Sequence, residues 1–100
     1  MTSNDVKRLA AMGEGRTLEF KNRVPRPERI AREVIALANT DGGTVLVGVD
    51  DDGTVLGVKD AQEEFFALQT ALADRILPPV DLRFEPVRIS RTREVLVVHV

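Results

Sequence analysis

A nearly continuous apolar run at residues 44–49 (TVLVGV) is the sequence feature that most constrains the fold. Turn-forming residues stand on both sides of the run, so it must be a short element. Gly42 and Gly43 precede the run, and residues 50–53 (DDDG) follow it. A strand without polar alternation is covered on both faces, so the run predicts a central strand of a sheet. Asp-Gly is a strong hairpin signal, and residues 54–58 are therefore expected to return as the partner strand.

Caps and apolar spacing predict three helices. The first ends at Gly13, the second begins at Pro27, and the third begins after Asp60 and reaches Ile76. Glycine suits a helix end, and proline suits a first turn because its missing N–H is not needed there. The second helix carries an apolar stripe at helical spacing, formed by Ile30, Val34, Leu37 and Ala38.

Three further strands are expected. Residues 17–21 alternate apolar and charged side chains, which is the period of a half-buried strand. Residues 81–90 and 94–100 supply the other two, with Pro86 placing the former at an edge or a bulge. His99 is expected on the solvent-facing side of an edge strand. The resulting order, α-β-α-β-β-α-β-β, predicts an α+β fold with a mixed sheet of about five strands.

The composition excludes several kinds of site. The chain has no cysteine and one histidine, so disulfides, Cys-ligated metals and multi-histidine centres are excluded. Neither glycine-rich stretch has the spacing of a P-loop or of a dinucleotide fingerprint. No apolar stretch approaches the roughly 18 residues of a membrane span, and no signal peptide is present. We therefore expect a cytoplasmic protein with no membrane partner.

The net charge of −2 is unevenly distributed. Residues 1–33 carry +3, residues 34–64 carry −6, and residues 65–100 carry +1. A basic first third indicates a surface that faces a nucleic acid or a phosphate. The residues that would contact phosphates are Arg16, Lys21, Arg23 and Arg26. The alternative is that these are ordinary solvated side chains.

The glycine pair after the second predicted helix has two interpretations. Gly42 and Gly43 can end the helix and allow the next strand to pack closely. Alternatively, the N–H groups of residues 41–44 form a small anion-binding nest, with Asn39 and Thr40 adding side-chain contacts to a phosphate or a base.

Three acids are candidates for metal chemistry. Glu14 precedes the first predicted strand, Glu19 lies within it, and Asp50 ends a strand that would run beside it. Mg²⁺ or Mn²⁺ bound by two or three carboxylates supports hydrolysis of a phosphodiester. Glu19 shares a strand face with Lys21, so the two side chains could form a pair or could both face a ligand. The alternative for Asp50, Asp51 and Asp52 is simple turn chemistry.

Three ordered motifs give the chain a family resemblance. They are Glu14 with residues 18–21 (LEFK), residues 36–44 (ALANTDGGT) and residues 47–53 (VGVDDDG). In this order they resemble the Schlafen AlbA-type domain, and residues 55–58 (VLGV) are similar to the return strand of that family. The resemblance implies an α+β domain that binds DNA, acts in a transcriptional regulator and forms a homodimer.

The same resemblance implies two alternatives. A related core in animal Schlafen proteins cleaves structured RNA with three acids, two of them five residues apart, as Glu14 and Glu19 are here, and Asp50 or Asp51 is then the third. This chain would be a metal-dependent endoribonuclease, with RNA in place of DNA as its ligand. The other alternative is an assembly domain whose apolar strands pair between subunits.

One domain spanning residues 1–100 is expected from the length of the chain. The final strand is still apolar at Val100, and the small residue and proline usual in the family after that strand are absent. We therefore expect the domain to lack a C-terminal segment.

Overall fold

A computed structural model describes residues 1–22, 27–73 and 82–100 of the chain. These residues form α1 (Ser3–Met12), β1 (Leu18–Lys21), α2 (Pro27–Ala38), β2 (Thr44–Val47), α3 (Ala61–Ala73), β3 (Arg83–Arg88) and β4 (Glu94–His99). The predicted α+β class and mixed sheet are confirmed. The described residues contain four strands, so the expectation of about five is not confirmed. Ile76, residue 81, Arg23 and Arg26 lie outside the described residues.

The four strands form one sheet in the order β1-β2-β4-β3. β1 and β2 are parallel, with Leu18 opposite Thr44, and α2 makes the crossover between them. β4 lies between β2 and β3 and is antiparallel to both. His99 is therefore half-buried on an inner strand, with its Nε2 3.4 Å from Oε1 of Glu85. The prediction of an edge position for His99 is wrong, because β4 inserts between two strands that precede it in the chain.

Helices cover both faces of the sheet. One face packs against α1, and its buried cluster contains Val6, Ala10, Leu18, Phe20, Leu46, Val87, Val95 and Val97. The other face packs against α2 and α3, with a cluster that includes Ile30, Val34, Leu37, Val45, Val47, Phe65, Leu68, Leu96 and Val98. Burial of each large apolar side chain contributes about 1.5–3 kcal/mol. Because its side chains alternate between two dry clusters, β2 is the doubly covered strand that its composition predicts.

The capping box of α1 fixes where this helix begins. The Thr2 hydroxyl accepts the backbone N–H of Asp5 at 3.2 Å, and the Asp5 carboxylate accepts the N–H of Thr2 at 2.8 Å. The two hydrogen bonds satisfy donors that a helix N-terminus would otherwise leave free. Gly13, at φ 84°, ends the helix as predicted. No helix in the ranges that the structure describes is long and apolar enough to cross a membrane.

Residues 54–58 return beside residues 48–50, just after β2, and beside the start of β4, but they form only isolated bridges. Val49 pairs with Val55, and the Gly48 carbonyl accepts the N–H groups of both Leu56 and Gly57. A Cβ on Gly48 would lie 2.9 Å from the Cα of Gly57, so the two backbones are in direct contact. Positive φ angles at both glycines break the extended geometry of a strand.

The open edge of β3 accommodates Pro86 through its register. Ile89 donates its N–H to the carbonyl of Arg93 at 3.1 Å, just beyond the strand. Because backbone groups alternate in direction along an antiparallel strand, the nitrogen at position 86 faces away from β4. Pro86 therefore removes no hydrogen bond between β3 and β4. On the outer side of β3, it leaves the sheet edge without a backbone N–H donor at that position. The predicted edge position of Pro86 is confirmed.

Candidate functional site

A tight reversal before β1 brings two of the predicted acids together. Gly15 and Leu18 form an antiparallel bridge, with N–H to carbonyl distances of 3.0 and 3.4 Å. The next antiparallel pair outward from this bridge is Glu14 with Glu19, which explains how a spacing of five residues places two carboxylates side by side. Burial, then the charges of Glu33 and Glu14, raise the pKa of Glu19 above its ordinary value, and Lys21 partly offsets them.

Lys21 follows Glu19 on the same face of β1 and pairs with a residue of α2. Its Nζ lies 2.8 Å from Oε1 of Glu33, and both side chains are about one-third exposed, at 30% and 32%. Burial lowers the pKa of Lys21, but the hydrogen bond and charge of Glu33 outweigh it, so the pKa is raised. The partner of Lys21 is therefore Glu33 and not Glu19.

Glu33 is a member of this cluster that sequence reasoning missed. Its Oε2 is buried and accepts no hydrogen bond within the part of the chain that the structure describes. The sequence did contain a signal for Glu33. It lies three residues after Ile30, and this spacing places its side chain beside the buried stripe of α2. We call Glu14, Glu19, Lys21 and Glu33 the β1 cluster.

The Asp50 carboxylate interacts with Asn22 and not with a residue of the β1 cluster. It accepts a hydrogen bond from the side-chain amide of Asn22, just after β1. The neighbouring turn is closed by the Gly53 N–H on the Asp50 carbonyl at 2.8 Å and by the Thr54 N–H on the Asp52 carboxylate at 2.9 Å. Turn chemistry thus accounts for Asp52.

Glu14, Glu19 and Asp50 are not brought together as one group of three carboxylates among the described residues. Within residues 1–22, 27–73 and 82–100, no group of three His, Cys, Asp or Glu side chains is placed to hold a metal ion. Glu14 and Glu19 supply two neighbouring carboxylates, whereas Asp50 is bound to Asn22. A Mg²⁺ or Mn²⁺ site on these acids stays a prediction, and no catalytic step is derived through it.

The glycine pair is used by the fold itself. Gly42 donates its N–H to the Leu37 carbonyl at 2.8 Å, and Gly43 and Thr44 donate theirs to Val100 and Thr17 at 3.4 and 2.8 Å. A Cβ on Gly43 would lie 2.6 Å from the Thr17 carbonyl oxygen. These contacts match a helix end followed by close strand packing, because three of the four N–H donors of the predicted nest, those of Gly42, Gly43 and Thr44, are already engaged.

Thr40 and Asn39, the two side chains predicted to contact a phosphate or base beside the glycine pair, differ in whether they are free to bind a ligand. The Thr40 hydroxyl donates towards the carbonyls of Leu37 and Ala36, at 3.1 and 3.3 Å, so it caps the end of α2. The side chain of Asn39 is exposed to solvent. Asn39 is therefore the freer of these two predicted contacts.

Of the two cationic phosphate contacts that were predicted and that the structure describes, Arg16 is more exposed than Lys21. Its guanidinium is 2.9 Å from the Asp41 carboxylate, and the side chains are 77% and 63% exposed. An exposed ion pair of this kind contributes at most about 1 kcal/mol, so a phosphate can displace Asp41 at little expense. The Lys21–Glu33 pair is more enclosed and holds its lysine more firmly.

Comparison with known proteins supports the resemblance drawn from the motifs. A family model described as "Schlafen, AlbA_2" matches residues 14–100, which is most of the chain and includes every predicted site residue. The family is generally related to nucleic acids. No significant match was found among curated proteins.

Proposed function

The chain belongs to the Schlafen AlbA_2 family, and from that premise we propose that it is a nucleic-acid-binding module with DNA as its ligand. The observation that carries the proposal is Arg16, an exposed guanidinium held only by a surface ion pair. Guanidinium binds phosphate through two parallel hydrogen bonds, which makes arginine well suited to a nucleic-acid backbone. Asn39 is a further proposed contact on the described surface, and the two arginines at positions 23 and 26, which lie outside the described residues, are contacts proposed from the sequence.

The finer parts of the proposal rest on family resemblance. They are a role in a transcriptional regulator, a cytoplasmic location and a homodimeric state. Size-exclusion chromatography with light scattering, with and without DNA, tests the dimer and separates it from an assembly domain that associates without nucleic acid. A monomer under both conditions would contradict both ideas.

A salt titration tests DNA binding. Fluorescence anisotropy of a short labelled duplex should show an affinity that falls steeply with salt, because bound cationic side chains release counterions. We expect Arg16→Gln to weaken binding and to reduce the slope of log K against log salt by about 1. Asp41→Asn should strengthen binding, since it frees the same guanidinium.

Matched controls and contrary outcomes are available. Arg16→Lys keeps the charge and should largely keep the salt slope. Absence of binding by the unmodified chain at low salt, to duplex DNA and to RNA alike, would reject the proposed function. Binding to RNA alone would change the ligand and retain the site.

The Glu14–Glu19 pair favours a second candidate, a metal-dependent endoribonuclease. The two carboxylates are neighbours at the edge of β1, as the nuclease interpretation requires. Folded RNA incubated with Mg²⁺ or Mn²⁺ should then be cleaved by the unmodified chain and not by Glu19→Gln. Glu63→Gln, an exposed change on α3, is the control. Cleavage that survives Glu19→Gln would remove these acids from the mechanism.

A further inference from the structure

We propose that a second phosphate-binding surface lies along the β3 edge of the sheet, where Arg83, Arg88 and Arg91 bind a nucleic-acid backbone without reading its sequence. We call these three arginines the β3-edge surface. The inference rests on the proposed function and deepens it, because it adds contacts at the sheet edge opposite to β1.

Within residues 1–22, 27–73 and 82–100, the arginines of the β3-edge surface form no ion pair with a carboxylate. All three are exposed. Glu85, the acid on β3, is bound by the amino group of Met1 and lies beside His99. Arg16 and Lys21, by contrast, are both paired with acids. The β3 edge therefore presents positive charge that the fold does not neutralise.

Hydrogen bonds hold the turn after β3 in place. The Arg88 guanidinium donates to the carbonyls of Ser90 and Arg91 through Nη1, at 3.4 and 3.0 Å. The Ser90 hydroxyl accepts the N–H of Thr92 at 3.4 Å. A turn that is ordered before binding loses less conformational entropy when Arg91 meets a phosphate. Arg88 also retains N–H donors that these contacts do not use.

Arg83 opens onto a groove between α1 and the β3–β4 pair. The groove has a volume of about 490 Å³, and Arg8 and His99 also line it. His99 lies directly across from Arg83 in the register of the two strands. Arg8 is paired with Asp5 at 3.3 Å, so Arg83 supplies the uncompensated charge of the groove. Asp5 and Glu85 also line this groove, but both carboxylates are already paired, Asp5 with Arg8 and Glu85 with the amino group of Met1, so the concave surface suits a phosphate at Arg83.

The open edge suits a backbone ligand better than another protein strand. Pro86 leaves the centre of the edge without an N–H donor, which opposes pairing with a further strand. Arg83 and Arg88 are five residues apart on β3, so their side chains project from opposite faces of the edge strand. The strand spans about 17 Å between them at roughly 3.3 Å per residue, and a nucleic-acid backbone that follows the edge can contact side chains from both faces. Phosphate contacts fix position and carry no sequence information, so we expect the surface to bind non-specifically.

The double variant Arg83→Gln/Arg91→Gln tests this surface, with Arg88 kept because it supports the turn. In the duplex titration described above, we expect weaker binding and a salt slope reduced by about 2, one for each lost phosphate contact. Arg83→Lys/Arg91→Lys should retain most of the slope. The matched control is Arg29→Gln/Arg32→Gln, which removes the same charge from exposed positions on α2 and should leave the slope unchanged.

Two results would overturn the inference, and neither is confused with failure of the proposed function. One is a slope unaltered by Arg83→Gln/Arg91→Gln while Arg16→Gln reduces it. The other is an equal loss in the α2 control, which would indicate diffuse charge instead of a surface. Circular dichroism melting curves of each variant show whether the fold is retained. If the unmodified chain binds no nucleic acid, the proposed function fails first.

Discussion

Glu19 combines a half-buried carboxyl with two acidic neighbours, and its ionisation therefore acts against folding. Burial and the charges of Glu33 and Glu14 raise its pKa. A carboxyl whose pKa is higher in the folded state than in the unfolded state favours folding while it is protonated. This contribution is present below the unfolded pKa and is lost as pH rises through the raised folded pKa.

Substitution of Glu19 should therefore change stability in a pH-dependent manner. We expect Glu19→Gln to unfold at a higher urea concentration than the unmodified chain near neutral pH, because the glutamine carries no charge to desolvate. Near pH 3 (roughly one unit below the ordinary glutamate pKa) the two midpoints should converge. Asp51→Asn removes one charge from an exposed turn and is the control. If Glu19→Gln raised the urea midpoint by the same amount near neutral pH and near pH 3, the charge of Glu19 would not be the cause of the effect.

The sequence predicted the β1 cluster only in part, for a physical reason. The pairing of Glu14 with Glu19 follows from a local reversal at Gly15, which short-range spacing can reveal. The pairing of Lys21 with Glu33 depends on how α2 packs against β1. Spacing within either element carries no information about that packing.

Elements with a clear period were the easiest to predict. The alternation of β1 matches the structure, and so does the stripe of α2 at Ile30, Val34 and Leu37, because each pattern records which side of the element is buried. Ala38, the last residue of the predicted stripe, is exposed at the end of α2.

Residues 54–58 also have the composition of a strand, yet they do not pair regularly. Gly57 and its contact Gly48 both have positive φ angles, and Val58 exchanges hydrogen bonds with Glu94. Tertiary contacts with Gly48 and Glu94, which the local sequence does not reveal, therefore determine that this segment is irregular.

The cap of α1 gives a prediction at the scale of the element. Thr2 is the N-cap residue of α1, and its hydroxyl accepts a backbone N–H of the first turn. We expect Thr2→Ala to reduce the free energy of unfolding by about 1 kcal/mol. Thr70→Ala makes the same change inside α3, where alanine is the better helix former, and should have little effect or stabilise the fold slightly. Equal losses in urea unfolding would argue against the capping role.

The whole molecule separates its two proposed binding surfaces by the width of the sheet. Arg16 adjoins the β1 edge, whereas the β3-edge surface lies at the opposite edge, three strand spacings or about 14 Å away. The net charge of −2 conceals this arrangement, because the acids of residues 50–64 offset the charge of the arginines in the total. Overall charge is therefore a poor guide to binding here.

Sites at this separation should act independently. We expect the losses of binding free energy in Arg16→Gln and in Arg83→Gln/Arg91→Gln to add in the triple variant, to within about 0.5 kcal/mol. The same anisotropy titration measures all three. A loss well short of the sum would show that a single duplex does not contact both edges at once.

The insertion of β4 between β2 and β3 has a consequence for how the chain folds as it is synthesised. The ribosome makes β4 after the three other strands, yet β4 supplies the contacts that join β3 to the β1–β2 pair. Until residues 94–99 emerge, one side of β2 has no partner, and the apolar side chains of β2 have incomplete cover. Closing long loops before they gain contacts slows folding. Completion of this sheet therefore depends on β4, and β2 is the segment that we expect a chaperone to contact before residues 94–99 are available.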